Sequence, residues 1–210
     1  MFRMIRRPLV WGLLIWCSAA AALQAQLDDS RLRASFQAQS SPAWCWAASV
    51  QMALRYYGID IDQPTLLKHT FGALPPAGGN LLADSQRLNQ VFYWKGRRYI
   101  ISVSASPMSG HPLLPSPWAT TPEAIVNHLK RGRPILVGYA SAHYGLHTVL
   151  LTGVDYSLTA SGKVQLHRLR VMDPYPYDQA HIDRGGVIDY PDGKLPGPIA
   201  ALWQLDITAE

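Results

Sequence analysis

Glutamate is nearly missing from this 210-residue chain: Glu123 and Glu210 are its only two, and aspartate supplies the other acids. Cysteine is just as scarce, at Cys17 and Cys45. The longest apolar run, Leu9 to Ala22, has 14 residues, short of the roughly 20 that a membrane-spanning helix needs. No internal repeat, low-complexity block or long run of one charge is present. These absences exclude collagen, coiled coil, disorder and a multi-pass membrane protein. A glycine-rich phosphate loop and a Gly-x-Ser-x-Gly turn are also missing, which removes the common signatures of nucleotide binding and of serine hydrolases.

What is there begins with an export pattern. Arg3, Arg6 and Arg7 precede the apolar run, and Leu23-Gln24-Ala25 follows it. A basic start, a short apolar middle and a small residue before the cut make a secretory signal peptide. The expected division is residues 1–25 as signal and residues 26–210 as one folded domain, with Ala22 as the other plausible cleavage position. Three of the positive charges behind the formal +5 leave with the signal, so the mature chain is nearly neutral. Arg97-Arg98, Arg131/Arg133 and Arg168/Arg170 are scattered pairs, which argues against a nucleic-acid partner. The reading is of a secreted or periplasmic protein without a stable membrane anchor.

The periodicity changes halfway. Positions 46, 50, 53, 54 and 57 carry apolar side chains at helical spacing, stopped at Gly58. A second helix is expected after Asp62-Gln63-Pro64 and a third over about 82–93. A fourth opens at Thr120-Thr121-Pro122-Glu123 as a Thr-x-x-Glu capping box and closes at Gly132. Residues 105–118 read as a proline-rich loop. Strands are expected over 134–140, 147–154, 164–172 and 199–207, with Ser161-Gly162-Lys163 turning the second into the third. Helices first and an antiparallel sheet second is an α+β plan in two lobes.

With Cys17 in the signal, Cys45 is the single thiol of an exported chain, either an intermolecular bridge or a reactive group. It stands at the start of the first helix, where the positive end of the dipole favours a thiolate. Gln39, six residues upstream, is near enough to offer its amide beside the Cys45 N–H as an oxyanion hole, with Gln37 and Gln51 as nearest substitutes. Seven histidines compete as base: 69, 111, 128, 143, 147, 167 and 181. His147 opens a strand, a rigid place for a catalytic group, and His143 in the flexible 141–145 stretch is the runner-up. His69 and His111 lie in or beside loops, and His128 reads as a solvated helix residue. Asp155 is eight residues from His147 on the same strand, about 27 Å away at ~3.4 Å per residue. The next strand runs back and ends at Met172-Asp173-Pro174, returning Asp173 to the level of His147 as an orienting acid. Asp60 and Asp62 have no comparable argument.

Gln39, Cys45-Trp46-Ala47, Gly145-Leu146-His147-Thr148-Val149 and Asp173-Pro174, in this order, resemble the papain-like cysteine proteases. Trp44-Cys45-Trp46-Ala47-Ala48, Gly132-Arg133-Pro134-Ile135 and Val171-Met172-Asp173-Pro174 look more like the compact bacterial members, the secreted effector proteases and the double-glycine leader peptidase domains. The resemblance spans about 37–175. It implies a two-lobe fold with the nucleophile helix on one lobe and the sheet on the other. It also implies hydrolysis of peptide or protein substrates through a Cys45 thioester, without metal or other cofactor. Plant and lysosomal relatives carry a Cys-Gly-Ser/Ala-Cys stretch and an Asn; this chain has Pro42-Ala43-Trp44-Cys45 and Asp173. Few residues lie between Gln26 and Trp44, too few for a long inhibitory pro-segment.

Other readings stand beside this one. The same triad would serve another thiol acyl transfer, such as a deamidase, a transglutaminase-like enzyme or a small-amide hydrolase. A catalytically silent peptide-binding scaffold has no need of all four residues. A zinc site is disfavoured: His143 and His147 are four apart, but Gly145 interrupts them and no His-Glu-x-x-His is present.

Overall fold

The fold was described from a computed structural model, over residues 22–74, 85–107, 121–142 and 145–210. Its elements run β1 (Leu23–Gln26), α1 (Asp29–Ser35), α2 (Cys45–Tyr56), α3 (Gln63–Phe71), β2 (Gln90–Trp94), β3 (Arg97–Pro107), α4 (Pro122–Lys130), β4 (Ile135–Ser141), β5 (Gly145–Leu158), β6 (Val164–Met172), α5 (Gln179–Asp183), β7 (Val187–Tyr190) and β8 (Ile199–Ala209). Helix and antiparallel sheet together make an α+β protein. Among the described residues no helix is long and apolar enough to cross a membrane.

Two helices follow directly from their capping chemistry. Asp62 accepts the N–H of Thr65 and Pro64 occupies the first turn of α3, which ends at the left-handed Gly72; this is the usual asymmetry of a proline start and a glycine stop. The α4 cap is one residue later than the Thr120 box suggests. Thr121 accepts the N–H of Ala124, and Glu123 accepts the N–H of Val164 at the head of β6 while keeping contact with the Thr121 side chain.

The sheet runs in the order β2-β3-β8-β4-β5-β6-β7, with β1 paired to β5 as well. One edge of β5 takes β4 along residues 145–151 and then β1 along 153–156; the other takes β6. β5 is buried at every position from His147 to Val154, so both of its faces are covered. Helix α2 crosses it, and its small residues Ala47, Ala48 and Ala53 are fully buried. At the centre of the sheet Gly138 of β4 leaves room for the ring of Trp203 on β8: a Cβ there would meet that ring at 2.8 Å.

Three expectations need correction. The helix expected over about 82–93 is not there in its second half, where residues 85–88 make one 3-10 turn and Gln90–Trp94 is a strand; residues 82–84 lie outside the described residues. Val-Phe-Tyr-Trp is rich in β-formers, and pairing with β3 overrides the helical spacing. The expected loop begins late, because β3 continues to Pro107 beside β8; residues 108–118 lie outside the described residues. Helices do not all precede the sheet, since β2 and β3 come before α4 and join the same sheet through β8. The strand pairs that matter for Cys45 and its partners follow the expected plan: β4, β5 and β6 are consecutive and antiparallel, with Gly162 in the left-handed region of the β5–β6 turn.

Candidate active site

Helix α2 begins at Cys45 itself, and no side chain caps that start. The thiol is buried and free. One turn further along the same helix face, the Ser49 hydroxyl donates to the carbonyl of Thr148, 3.0 Å away. That bond ties the nucleophile helix to β5 at the residue next to His147, so the distance between thiol and imidazole is set by a buried hydrogen bond as well as by packing. The register places Tyr139 of β4 directly across from His147, and the two rings meet edge to face with centroids 5.5 Å apart.

The structure brings Cys45, His147 and Asp173 together. His147 hydrogen-bonds Cys45 on one side. On the other, its Nε2 lies 2.8 Å from Oδ1 of Asp173. Both partners of that pair are almost fully buried, at 2% and 0% side-chain exposure. Burial opposes a charged imidazole, but the hydrogen bonds to Asp173 and Cys45 outweigh it and hold the His147 pKa up at about 9. The ring is thus an imidazolium at neutral pH, the state that partners a thiolate.

Asp173 is anchored from every side. Its N–H donates to Gly186, and its carbonyl lies 3.0 Å from Nε2 of His181. Its carboxylate accepts the N–H of Tyr175 at 2.9 Å and the hydroxyl of Tyr177 at 3.0 Å. Gly186 is required where it stands: it is left-handed, and a Cβ would meet the ring of Phe36 at 2.2 Å and the Asp173 carbonyl at 2.7 Å. Tyr139 is buried near the same charge, and burial with Asp173 nearby raises its pKa, so its hydroxyl stays protonated.

Gln39 lies on the loop before α2 and is fixed by its backbone, whose N–H donates to Pro174, the residue after Asp173, at 2.8 Å. Its amide nitrogen donates to the carbonyls of Ser41 at 2.9 Å and Pro42 at 3.1 Å. A contribution to an oxyanion therefore requires the amide to exchange one of these bonds. Gln63 steadies the loop: it donates to Ala38 and to Gln51, and accepts the N–H of Ser40. Gln51, named above as a substitute donor, is engaged in this clamp, and Gln37 donates to the carbonyl of Phe36.

Apart from His181, the other described histidines are elsewhere. His69 lies near the end of α3, and its ring packs on Phe92. His128 is buried, not solvated, and its burial disfavours the charged form. His167 bonds Ser157 on the exposed side of the sheet. His111 and His143 lie outside the described residues. Asp155 pairs with Arg168, Asp60 with Arg55, and Asp62 caps α3.

Ser49 and Tyr177 do not stand out in the sequence, where His181 is one of seven competing histidines and the Tyr139 region reads only as part of a cleft lining. Ser49 carried a signal, being four residues beyond the thiol and so on the same helix face. The contacts of Tyr139 with His147 and of His181 with Asp173 carried none, because strand register and the fold of the 174–186 segment make them. No curated protein matches the chain. A family model described as the Peptidase_C39 like family matches residues 16–185, a span that includes Gln39, Cys45, His147 and Asp173. The chain belongs to the Peptidase_C39 like family and so to the papain-like cysteine peptidases.

Proposed function

We propose that the protein is an exported cysteine peptidase that hydrolyses peptide bonds at Cys45, with His147 as acid and base and Asp173 as orienting residue. The observation that carries the reading is the buried chain Cys45–His147–Asp173, with the imidazole bonded at both ends. The Cys45 thiolate adds to the scissile carbonyl carbon, and the carbonyl electrons move to oxygen. The Cys45 N–H and Gln39 are the proposed donors to that oxyanion. On collapse the C–N bond breaks, His147 gives its proton to the leaving amine, and a thioester remains. Neutral His147 then takes a proton from water as the water attacks, which releases the carboxylic acid and restores the thiol pair. Asp173 orients His147 and stabilises the imidazolium.

A helical side bearing the nucleophile facing a sheet side bearing base and acid is also what the two-lobe papain arrangement requires. The basic, apolar and small-residue start supports export. Of the two candidate cleavage bonds, the one after Ala22 leaves β1 whole, and Ala20-Ala21-Ala22 supplies small residues at both recognition positions.

The test combines iodoacetamide labelling, read by mass spectrometry, with cleavage of a peptide library. Wild type should be carbamidomethylated at Cys45 and should cleave peptides; Cys45→Ala should do neither. A labelled, folded enzyme that releases ammonia from glutamine side chains without cutting any peptide would replace hydrolysis by deamidation. Absence of any acyl transfer would leave a binding scaffold.

A further inference from the structure

The carboxylate of Asp173 has two oxygens, and only Oδ1 meets His147. The same Oδ1 accepts the N–H of Tyr175, whereas Oδ2 accepts the hydroxyl of Tyr177. We propose that Tyr177 is a positioning residue of the triad, whose hydroxyl holds Oδ2 so that Oδ1 stays aimed at Nε2 of His147, and which tempers the pull of the carboxylate on the imidazolium proton. The proposal rests on the peptidase reading for its consequences in turnover, and on geometry alone for the bond.

A free carboxylate can rotate about its Cα–Cβ–Cγ bonds and exchange its two oxygens. Besides the bond to His147, two bonds at its oxygens, from residues two and four positions later, oppose this, while two more fix the main chain of Asp173. Among the described residues, Tyr177 is the one side chain other than His147 that donates to the carboxylate. Its ring is braced edge-on by His181 and lies over Tyr175, so the hydroxyl is directed by packing. Yet Tyr177 is 46% exposed, while His147 and Asp173 are buried. The segment 174–178 thus carries the second anchor of the acid to the protein surface. Burial and the Asp173 charge raise the Tyr177 pKa, so the hydroxyl keeps its proton and donates over the working pH range.

The groups that face this carboxylate come from every neighbouring element. They are His147 on β5, Tyr139 on β4, Tyr190 on β7, His181 on α5 through the main-chain carbonyl, and Cys45 on α2 beyond the imidazole. None of the others donates a hydroxyl to Oδ2. Removing the Tyr177 oxygen therefore makes the carboxylate a better acceptor for the imidazolium, while loosening its orientation.

Tyr177→Phe keeps the ring and removes only the hydroxyl. Peptide turnover should fall about 10-fold in kcat with KM within about twofold, since one hydrogen bond to a charged group is lost and no substrate contact is. The upper inflection of Cys45 alkylation by iodoacetamide against pH should move up by roughly half a unit. Thermal unfolding and near-UV circular dichroism are measured alongside. A Phe variant with unmoved inflection overturns the proposal, whether its kcat is unchanged or its loss tracks a lower Tm. The alkylation profile needs no peptide substrate. Failure of wild type to cut peptides would therefore sink the peptidase reading and leave the test of Tyr177 standing.

Discussion

An imidazole that must hold a proton in a buried site needs a permanent negative partner, and Asp173 is that partner for His147. Asp173→Ala should leave Cys45 in place but free the His147 ring and remove the charge that keeps it protonated. Activity should fall by about 10²–10⁴-fold, with Asp173→Asn milder, because an amide oxygen still accepts an imidazole N–H. Asp155→Ala should be near neutral, since Asp155 meets a half-exposed Arg168 instead, 3.3 Å away, and exposed ion pairs contribute little. Steady-state kinetics on the two variants decides this, and the reverse order would sink the assignment. The pH profile follows the same residue. With His147 held up to about 9, the alkaline limb of kcat/KM should lie near pH 9. It should move down in Asp173→Asn as the charge is lost.

At the scale of elements, the site depends on which strands meet and where they begin. Four residues of β1 pair with β5, Ala25 is buried among them, and α4 packs over the strand. A chain beginning at Leu23 keeps all of this. One beginning at Gln26 loses the ladder along Leu23 to Ala25 and exposes the edge of β5 beyond β4. The shorter chain should be less stable by roughly 1–3 kcal/mol, a few net hydrogen bonds and one buried methyl. Urea unfolding of the two chains measures it, and equal midpoints would show that β1 adds nothing. The β5–β6 pair was legible because Ser161-Gly162-Lys163 lies in a turn between two runs of β-formers. The β2–β3 pair was not, because Gln90 to Trp94 suits a helix face as well as a strand until a partner is known.

For the whole molecule, the buried imidazolium links stability to pH. The folded-state pKa of His147, about 9, lies above its ordinary 6.5. The unfolded chain therefore binds fewer protons between these values, and stability should fall as pH rises through that window. The contribution is present in full below about 6.5 and gone above about 9. Denaturant unfolding at pH 6, 7.5 and 9 should show this decline in wild type and a flatter profile in His147→Ala. A wild-type curve as flat as that of the variant would mean that the pair is not charged in the folded protein.

The amino-acid order by itself determined the nucleophile helix, its stop at Gly58, the β4–β5–β6 run and the four polar residues to examine. Each is a local matter of spacing, capping or turn chemistry, or of residues at strand ends that an antiparallel turn must bring level. Only the tertiary structure decided what surrounds them. Tyr139 reaches His147 by cross-strand register, Gly186 and His181 hold Asp173 through the path of the 174–186 segment, and Gln63 clamps the loop of Gln39 from another helix. Those contacts join residues far apart in the chain or across irregular backbone. No period of 2 or 3.6 encodes them, and the cost of closing such loops is recovered only when the whole core forms.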